Sequence, residues 1–201
     1  MRNIKLIIEY DGTRYQGWQQ PGKDDSPNTI LGRITSVLKK MTMEELTIYS
    51  GLRTETGVHA FCQTINFKTN GNFSADSFKH YLNKYLPMDI AVVDACEVPE
   101  RFHASLSAKS RTYLYQLVPG DVPSVFQRKY SWHSFLPIDA DRIRLAAPLL
   151  CGRHDYACFS NGKTKKSTVR TVFSIDVTES GGFLYISICA TDFLHNMARS
   201  M

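Results

Sequence analysis

A pattern of apolar periodicity runs from residue 4 to residue 98, and it leaves few folds open. Ile4–Tyr10 is apolar and β-branched, and Asp11-Gly12 closes it as a turn. Residues 13–28 are polar and broken by Gly17, Pro21, Gly22 and Pro27, which predicts a loop. Asn28 is placed to cap a helix over Thr29–Met41, whose Ile30, Ile34, Val37, Leu38 and Met41 share one face. Leu46–Ser50 and Phe61–Lys68 read as strands. Ser74-Ala75-Asp76 opens a second helix that turns Phe78, Tyr81, Leu82 and Tyr85 inward, and Pro87 stops it. Ile90–Val98 is a further strand.

That order is β-α-β-β-α-β, the ferredoxin-like pattern. The second half starts to repeat it. Ser107–Val118 alternates like a long strand, and Ala140–Cys151 has helical spacing through Ile143, Leu145, Ala146 and Leu149, bent or shortened at Pro148. Val169–Thr178 and Phe183–Ala190 read as strands around the turn Glu179-Ser180-Gly181-Gly182. Asp192 resembles a helix N-cap before Phe193, Leu194 and Met197. The expected fold class is therefore α+β, with one ferredoxin-like half over residues 1–100 and a second, incomplete one over 101–201.

With 201 residues and 43% hydrophobic side chains, the chain can build a real core, which excludes a disordered tail protein. The net charge of +5 favours an anionic partner only mildly. Five cysteines (Cys62, Cys96, Cys151, Cys158 and Cys189) share no repeated spacing and read as reduced thiols. No signal peptide or membrane span is visible, so the expected location is cytoplasmic. Cys151, His154 and Cys158 make only half of a zinc-type motif, and no metal site is expected. Gly181-Gly182 reads as a hairpin turn and not as a phosphate-binding loop.

The chemistry concentrates at Arg53-Thr54-Glu55-Thr56-Gly57-Val58-His59-Ala60. On an extended segment, Arg53 and Glu55 point to the same side. Taken alone they make a surface ion pair of well under ~1 kcal/mol. The octapeptide resembles the active-site motif of the TruA family of tRNA pseudouridine synthases, Arg-Thr-Asp-x-Gly-Val-His-Ala. Further segments resemble that family in order: Tyr10-Asp11-Gly12 with Gly17-Trp18-Gln19, Asn28-Thr29-Ile30-Leu31-Gly32, Arg101-Phe102-His103-Ala104, Ala108–Tyr115, Gly152-x-His154-Asp155-Tyr156, Lys166–Thr171 and Phe193–Arg199.

The resemblance implies isomerisation of uridine to pseudouridine in the anticodon arm of tRNA, with neither cofactor nor metal. It also implies a homodimer, and a mixed, mainly antiparallel sheet with helices on one side and a central RNA-binding cleft. Glu55 takes the position of the carboxylate at the ribose–base junction, and Tyr113 that of the ring holding the base. Arg199 matches the cation orienting the carboxylate, and Arg53 the arginine that fills the gap left by the flipped base. Lys163, Lys165, Lys166 and Arg14 are candidate tRNA contacts, with a solvated loop as the alternative for the lysine run. Arg170 extends the lysine run, while Lys109, Arg111, Arg128 and Lys129, like Arg14, are further cations of unknown face. Tyr113 as a core ring, Arg199 as a solvated charge and His59 as a structural histidine are the plainer readings.

The chain departs from the family motifs at Glu55 for Asp, Leu52 for Gly, Asp192 for Gly and Ala198 for Val. A catalytically impaired relative that keeps tRNA binding is thus the alternative function. An unrelated RNA-binding module of ferredoxin-like halves would need aromatic strand motifs that are absent.

Overall fold

In the computed structural model, which describes residues 1–20, 26–161 and 167–201, the chain forms two compact units, Met1–Ala108 and Lys109–Met201. The architecture is α+β, and the strands form two sheets, where one was expected.

The first unit runs β1 (Arg2–Tyr10), α1 (Ile30–Thr42), β2 (Ile48–Ser50), β3 (Ala60–Thr69), α2 (Ala75–Tyr85) and β4 (Ile90–Val98). Its strands lie in the order β2-β3-β1-β4, each pair antiparallel. Alternation along β1 sends Ile4, Leu6, Ile8 and Tyr10 into the core, where they meet Ile65 and Phe67 of β3. The apolar faces of both helices close that core with Ile30, Ile34, Val37, Leu38, Phe78 and Leu82.

Two sequence expectations change here. The cap of α1 is Thr29, whose Oγ1 accepts from Gly32 N at 3.1 Å, and not Asn28. Tyr85, expected inward on α2, is 53% exposed and lies against Tyr81, its ring centroid 4.5 Å away. Ser74 caps α2 as expected, accepting from Ser77 N.

The segment after β4 belongs to the first unit because it covers polar groups of the sheet. Asn3 and Asn66 are each 1% exposed. Asn3 Nδ2 donates to the carbonyls of Pro99 and Phe102 at 3.1 and 2.9 Å, and Asn66 Nδ2 donates to Asn3 Oδ1 at 2.9 Å. Asn66 Oδ1 accepts from Ala104 N at 2.8 Å, and His103 lies against Tyr49 with ring centroids 4.3 Å apart. Buried amides need partners, and these supply them.

The second unit runs β5 (Arg111–Pro119), β6 (Trp132–Ser134), α3 (Ala140–Ala146), β7 (Gly152–Asp155), β8 (Val169–Ser180), β9 (Phe183–Ala190) and α4 (Met197–Ser200). Its sheet order is β6-β5-β9-β8-β7, antiparallel except for β5 with β6. The helix expected over 140–151 stops at Ala146 and tightens into a 3-10 turn, Ala147–Leu150, around Pro148. Leu145 and Leu149, part of that helical spacing, are exposed. The β8–β9 hairpin turns at Gly181 and Gly182, both at positive φ. Tyr156, Val172, Ile188, Ala190 and Met197 form the core of this unit.

Asp192 does not cap a helix. Residues 193–196 are non-helical, α4 starts only at Met197, and its N-cap is Asn196. The carboxylate of Asp192 faces Arg111 and Arg170 instead.

Candidate active site

Glu55 lies in the loop between β2 and β3, at the first position of a turn that Val58 N closes onto Glu55 O at 3.1 Å. Gly57, third in the turn, has φ +76°, the conformation that makes glycine the favoured residue there. Thr54 is buried, Arg53 is exposed, and Glu55 is half-buried. The carboxylate therefore sits on a constrained backbone with a face to solvent.

The loop is held by the segment between β1 and α1. Trp18 N donates to Thr54 O at 2.9 Å, and Gly57 N donates to Tyr15 O at 3.3 Å. Below them the Tyr10 hydroxyl and Thr54 Oγ1 share a buried hydrogen bond of 2.7 Å. Burial pushes the Tyr10 phenol up to about 12, so it stays protonated at neutral pH.

Two glycines let the segments meet this closely. A Cβ on Gly12 would lie 2.0 Å from Val58 O, and one on Gly17 would lie 2.6 Å from Thr54 O. Gly17 also has φ +84°.

His59 locks the far end of the loop. Its Nδ1 is 3.1 Å from Gly12 N and 3.1 Å from Asp11 Oδ1. With Nδ1 unprotonated it accepts the Gly12 N–H; protonated there, it donates to the Asp11 carboxylate. Asp11 Oδ1 also accepts from Thr13 N at 2.9 Å. Tyr15 donates its hydroxyl to Asp89 Oδ1 at 2.6 Å, and burial followed by that carboxylate holds its pKa well above the usual phenol range. In the family-like motifs Tyr10-Asp11-Gly12 and Gly17-Trp18, it is this holding of the loop that the residues do. The signal was present in two glycines flanking aromatic residues.

Arg14, a candidate tRNA contact, is 82% exposed on the 3-10 turn Gly12–Arg14, its Nη1 3.8 Å from Asp89 Oδ2. Leu52 is not among the residues of positive φ, so the backbone before Arg53 requires no glycine. Its carbonyl accepts a hydrogen bond from Gln63 Nε2.

In the second unit, Tyr113 is half-buried on β5, opposite Ile188 of β9. Phe193 stands edge-on to its ring, centroids 4.8 Å apart and planes at 86°. Arg199 is exposed on α4, which Met197 and Ala198 anchor in the core. Ala198 is buried. Arg53 and Glu55 share the loop between β2 and β3, Arg14 lies on the turn after β1 beside Asp89, and Tyr113 stands beside Phe193. Lys163, Lys165 and Lys166 lie outside the described residues.

Asp155 and Tyr156, from another motif match, have clear structural partners. Asp155 is held below the usual carboxylate range by the Thr168 side chain and then by Ala157 N–H. The Tyr156 hydroxyl donates to Leu150 O at 2.8 Å. The five cysteines are all free. Among the described residues no group of three His, Cys, Asp or Glu side chains is arranged to hold a metal ion. Nor is any helix there long and apolar enough to cross a membrane.

A sequence model described as tRNA pseudouridine synthase matches residues 6–106 and 146–201. The chain is 44% identical to tRNA pseudouridine synthase A of a Bacillus species (strain KSM-64) over 202 residues, covering 100% of this chain and 82% of that protein. It is 43% identical, with the same coverage, to tRNA pseudouridine synthase A 2 of Bacillus cereus. The corresponding protein of Thermoanaerobacter (strain X514) is 39% identical over 99% of this chain and 81% of its own length. The matched regions contain the Glu55 loop, the segment that holds it, and α4, and the chain belongs to the tRNA pseudouridine synthase family.

Proposed function

We propose that the chain isomerises uridine to pseudouridine in the anticodon arm of tRNA. The observation that carries this reading is the Glu55 loop: a half-buried carboxylate on a backbone fixed by Trp18, Tyr15 and Tyr10, inside a family match that spans it. In the proposed reaction Glu55 acts at the ribose–base junction, as nucleophile or as base, while the base is cut from the ribose, rotated and rejoined through carbon. Tyr113 holds the target base, and Arg199 orients the carboxylate. Arg53 fills the gap in the RNA left by the flipped nucleotide. Arg14 and the lysines at 163, 165 and 166 bind phosphates, a contribution that weakens with salt.

The same reading makes each unit a ferredoxin-like half, the protein cytoplasmic, and the assembly a homodimer. The apolar side chains exposed at Val122, Phe126, Phe135 and Leu136 give a second copy something to cover. The impaired alternative has less support, because named synthases match the chain along its whole length.

The test is incubation of the purified protein with an unmodified tRNA transcript, followed by mapping of pseudouridine. Pseudouridine should form in the anticodon arm, and the Glu55→Gln variant should form it about 10²-fold or more slowly at the same protein concentration. A folded wild-type protein that binds tRNA but leaves every uridine unchanged would overturn the proposal. Affinity for tRNA no better than for random RNA across a salt series would overturn the binding roles.

A further inference from the structure

We propose that Asp192 is a positioning residue for this reaction: held between Arg111 and Arg170, its carboxylate fixes the turn after β9 so that Phe193 stands edge-on against Tyr113. The inference rests on the proposed role of Tyr113 in holding the target base.

The topology makes Asp192 a bridge. β9 lies between β5 and β8, and Asp192 follows its end by one residue, Thr191. Arg111 starts β5 and Arg170 lies near the start of β8. Arg111 Nε is 3.5 Å from Asp192 Oδ1, and Arg170 Nε is 3.9 Å from Asp192 Oδ2. One carboxylate thus reaches across the end of the central strand to a cation on each flanking strand.

The two guanidiniums need that charge. The Arg111 and Arg170 side chains are only 12% and 18% exposed, while Asp192 is 47% exposed. Arg170 Nη1 donates to the carbonyls of Ser167 and Val169, but among the described residues its buried Nε meets no hydrogen-bond partner. Two cations largely withdrawn from water are costly, and an anion close to both offsets that cost. Both distances exceed those of good hydrogen bonds, so the hold is one of charge more than of directed bonding.

Hydrogen bonds fix the residue before Asp192. Thr191 O accepts from Arg111 Nη1 at 2.7 Å, and Thr191 N donates to Thr171 O at 2.9 Å. Thr191 Oγ1 accepts from Thr171 N at 3.2 Å. Beyond Asp192, Phe193 lies against Tyr113, which is two residues along β5 from Arg111 and on the same face of the strand. The charge on Asp192 is therefore what carries order from the pinned Thr191 to the ring that supports Tyr113.

The test uses Asp192→Asn, which keeps the shape and removes the charge, and Arg170→Gln at the other end of the bridge. Two readouts are taken: pseudouridine formation on an unmodified tRNA transcript, and the ring-current shifts of Tyr113 and Phe193 in NMR spectra assigned with Tyr113→Phe and Phe193→Ala. In both variants kcat should fall by about 10-fold with KM within about two-fold, since a small misplacement of a positioning group costs rate while phosphate contacts keep binding. The ring-current shifts should shrink toward those of Phe193→Ala, Asp192→Glu should restore both readouts, and the double variant should be no worse than either single one. Unchanged ring-current shifts in Asp192→Asn would overturn the inference, as would a loss confined to KM. A wild-type protein without activity would defeat the functional reading, yet the NMR arm would still decide whether Asp192 holds the ring pair.

Discussion

Gly17 passes so close to Thr54 that a Cβ on it would stand 2.6 Å from the Thr54 carbonyl oxygen. Trp18 N, one residue on, donates to that same oxygen at 2.9 Å. The closeness and the bond belong together, because the backbone after β1 can reach the loop before Glu55 only if nothing projects from residue 17. Gly17→Ala should therefore destabilise the protein by about 2 kcal/mol or more, from a strained positive φ and a backbone clash. Urea denaturation checks the loss. Pseudouridine formation, measured where the variant is still folded, should also fall, because the displaced segment carries Thr54 and Glu55.

Stability at alkaline pH should expose the buried phenol beneath the loop. The Tyr10 pKa is raised by burial from 10.0 to about 12. The folded state holds the proton more tightly than the unfolded state, so this contribution is complete below pH 10 and is lost as pH rises through about 12. Its size is about 2–3 kcal/mol on the linkage relation. Tyr15 is shifted in the same direction and adds to the same slope. Tyr10→Phe should flatten part of the decline between pH 10 and 12, and Tyr10→Phe with Tyr15→Phe should flatten more. Thermal melts across that range measure it, and an unchanged slope in the double variant would contradict the assignment.

The Asn3–Asn66 pair predicts a structural cost for a motif that looks functional. Asn66→Ala leaves Ala104 N–H and Asn3 Oδ1 without their bonds on the covered face of the sheet. The expected loss is about 2–3 kcal/mol, the scale for buried polar groups left unsatisfied. Asn66→Asp should cost at least as much, because a carboxylate accepts from Ala104 but cannot donate to Asn3 Oδ1. Faster amide exchange at Ala104 in either variant would locate the damage at Arg101–Ala104. Exchange unchanged there would separate that segment from the asparagine pair.

These contacts show what the sequence made legible and what it did not. Ile90–Val98 and Phe183–Ala190 fall at their expected bounds because a strand buried against a core writes its periodicity into every second residue. The cap of α1 moved from Asn28 to Thr29 because both types can cap, and only the seat of Gly32 N decides between them. Asp192 misled for a non-local reason: its carboxylate answers to Arg111 and Arg170, distant in sequence, and local spacing cannot register that pull. The strand Trp132–Ser134 has three residues, too few for any period, and exists by its parallel ladder to β5. At the candidate site the carboxylate loop was readable as a motif. What holds it was not, because the fit of Gly12 beneath Val58 and of Gly17 beneath Thr54 joins segments about forty residues apart.

Glu55 itself gives the sharpest functional test. The loop geometry is fixed by backbone contacts of Thr54, Gly57 and Val58, so shortening the side chain at position 55 should leave the turn unchanged. The family motif has Asp at this position, and one methylene moves a carboxylate by roughly 1 Å, a displacement that can cost up to ~10²-fold in rate. Glu55→Asp should therefore raise kcat by about 10-fold or more on anticodon-arm uridines, with KM little changed. Glu55→Gln should lower it by about 10²–10⁴-fold, the range expected when a group handling a proton in the transition state is lost. Single-turnover measurements on unmodified tRNA separate the chemical step from product release. If Glu55→Asp is slower than the wild type, the site has adapted to the longer side chain, and the argument from displacement fails.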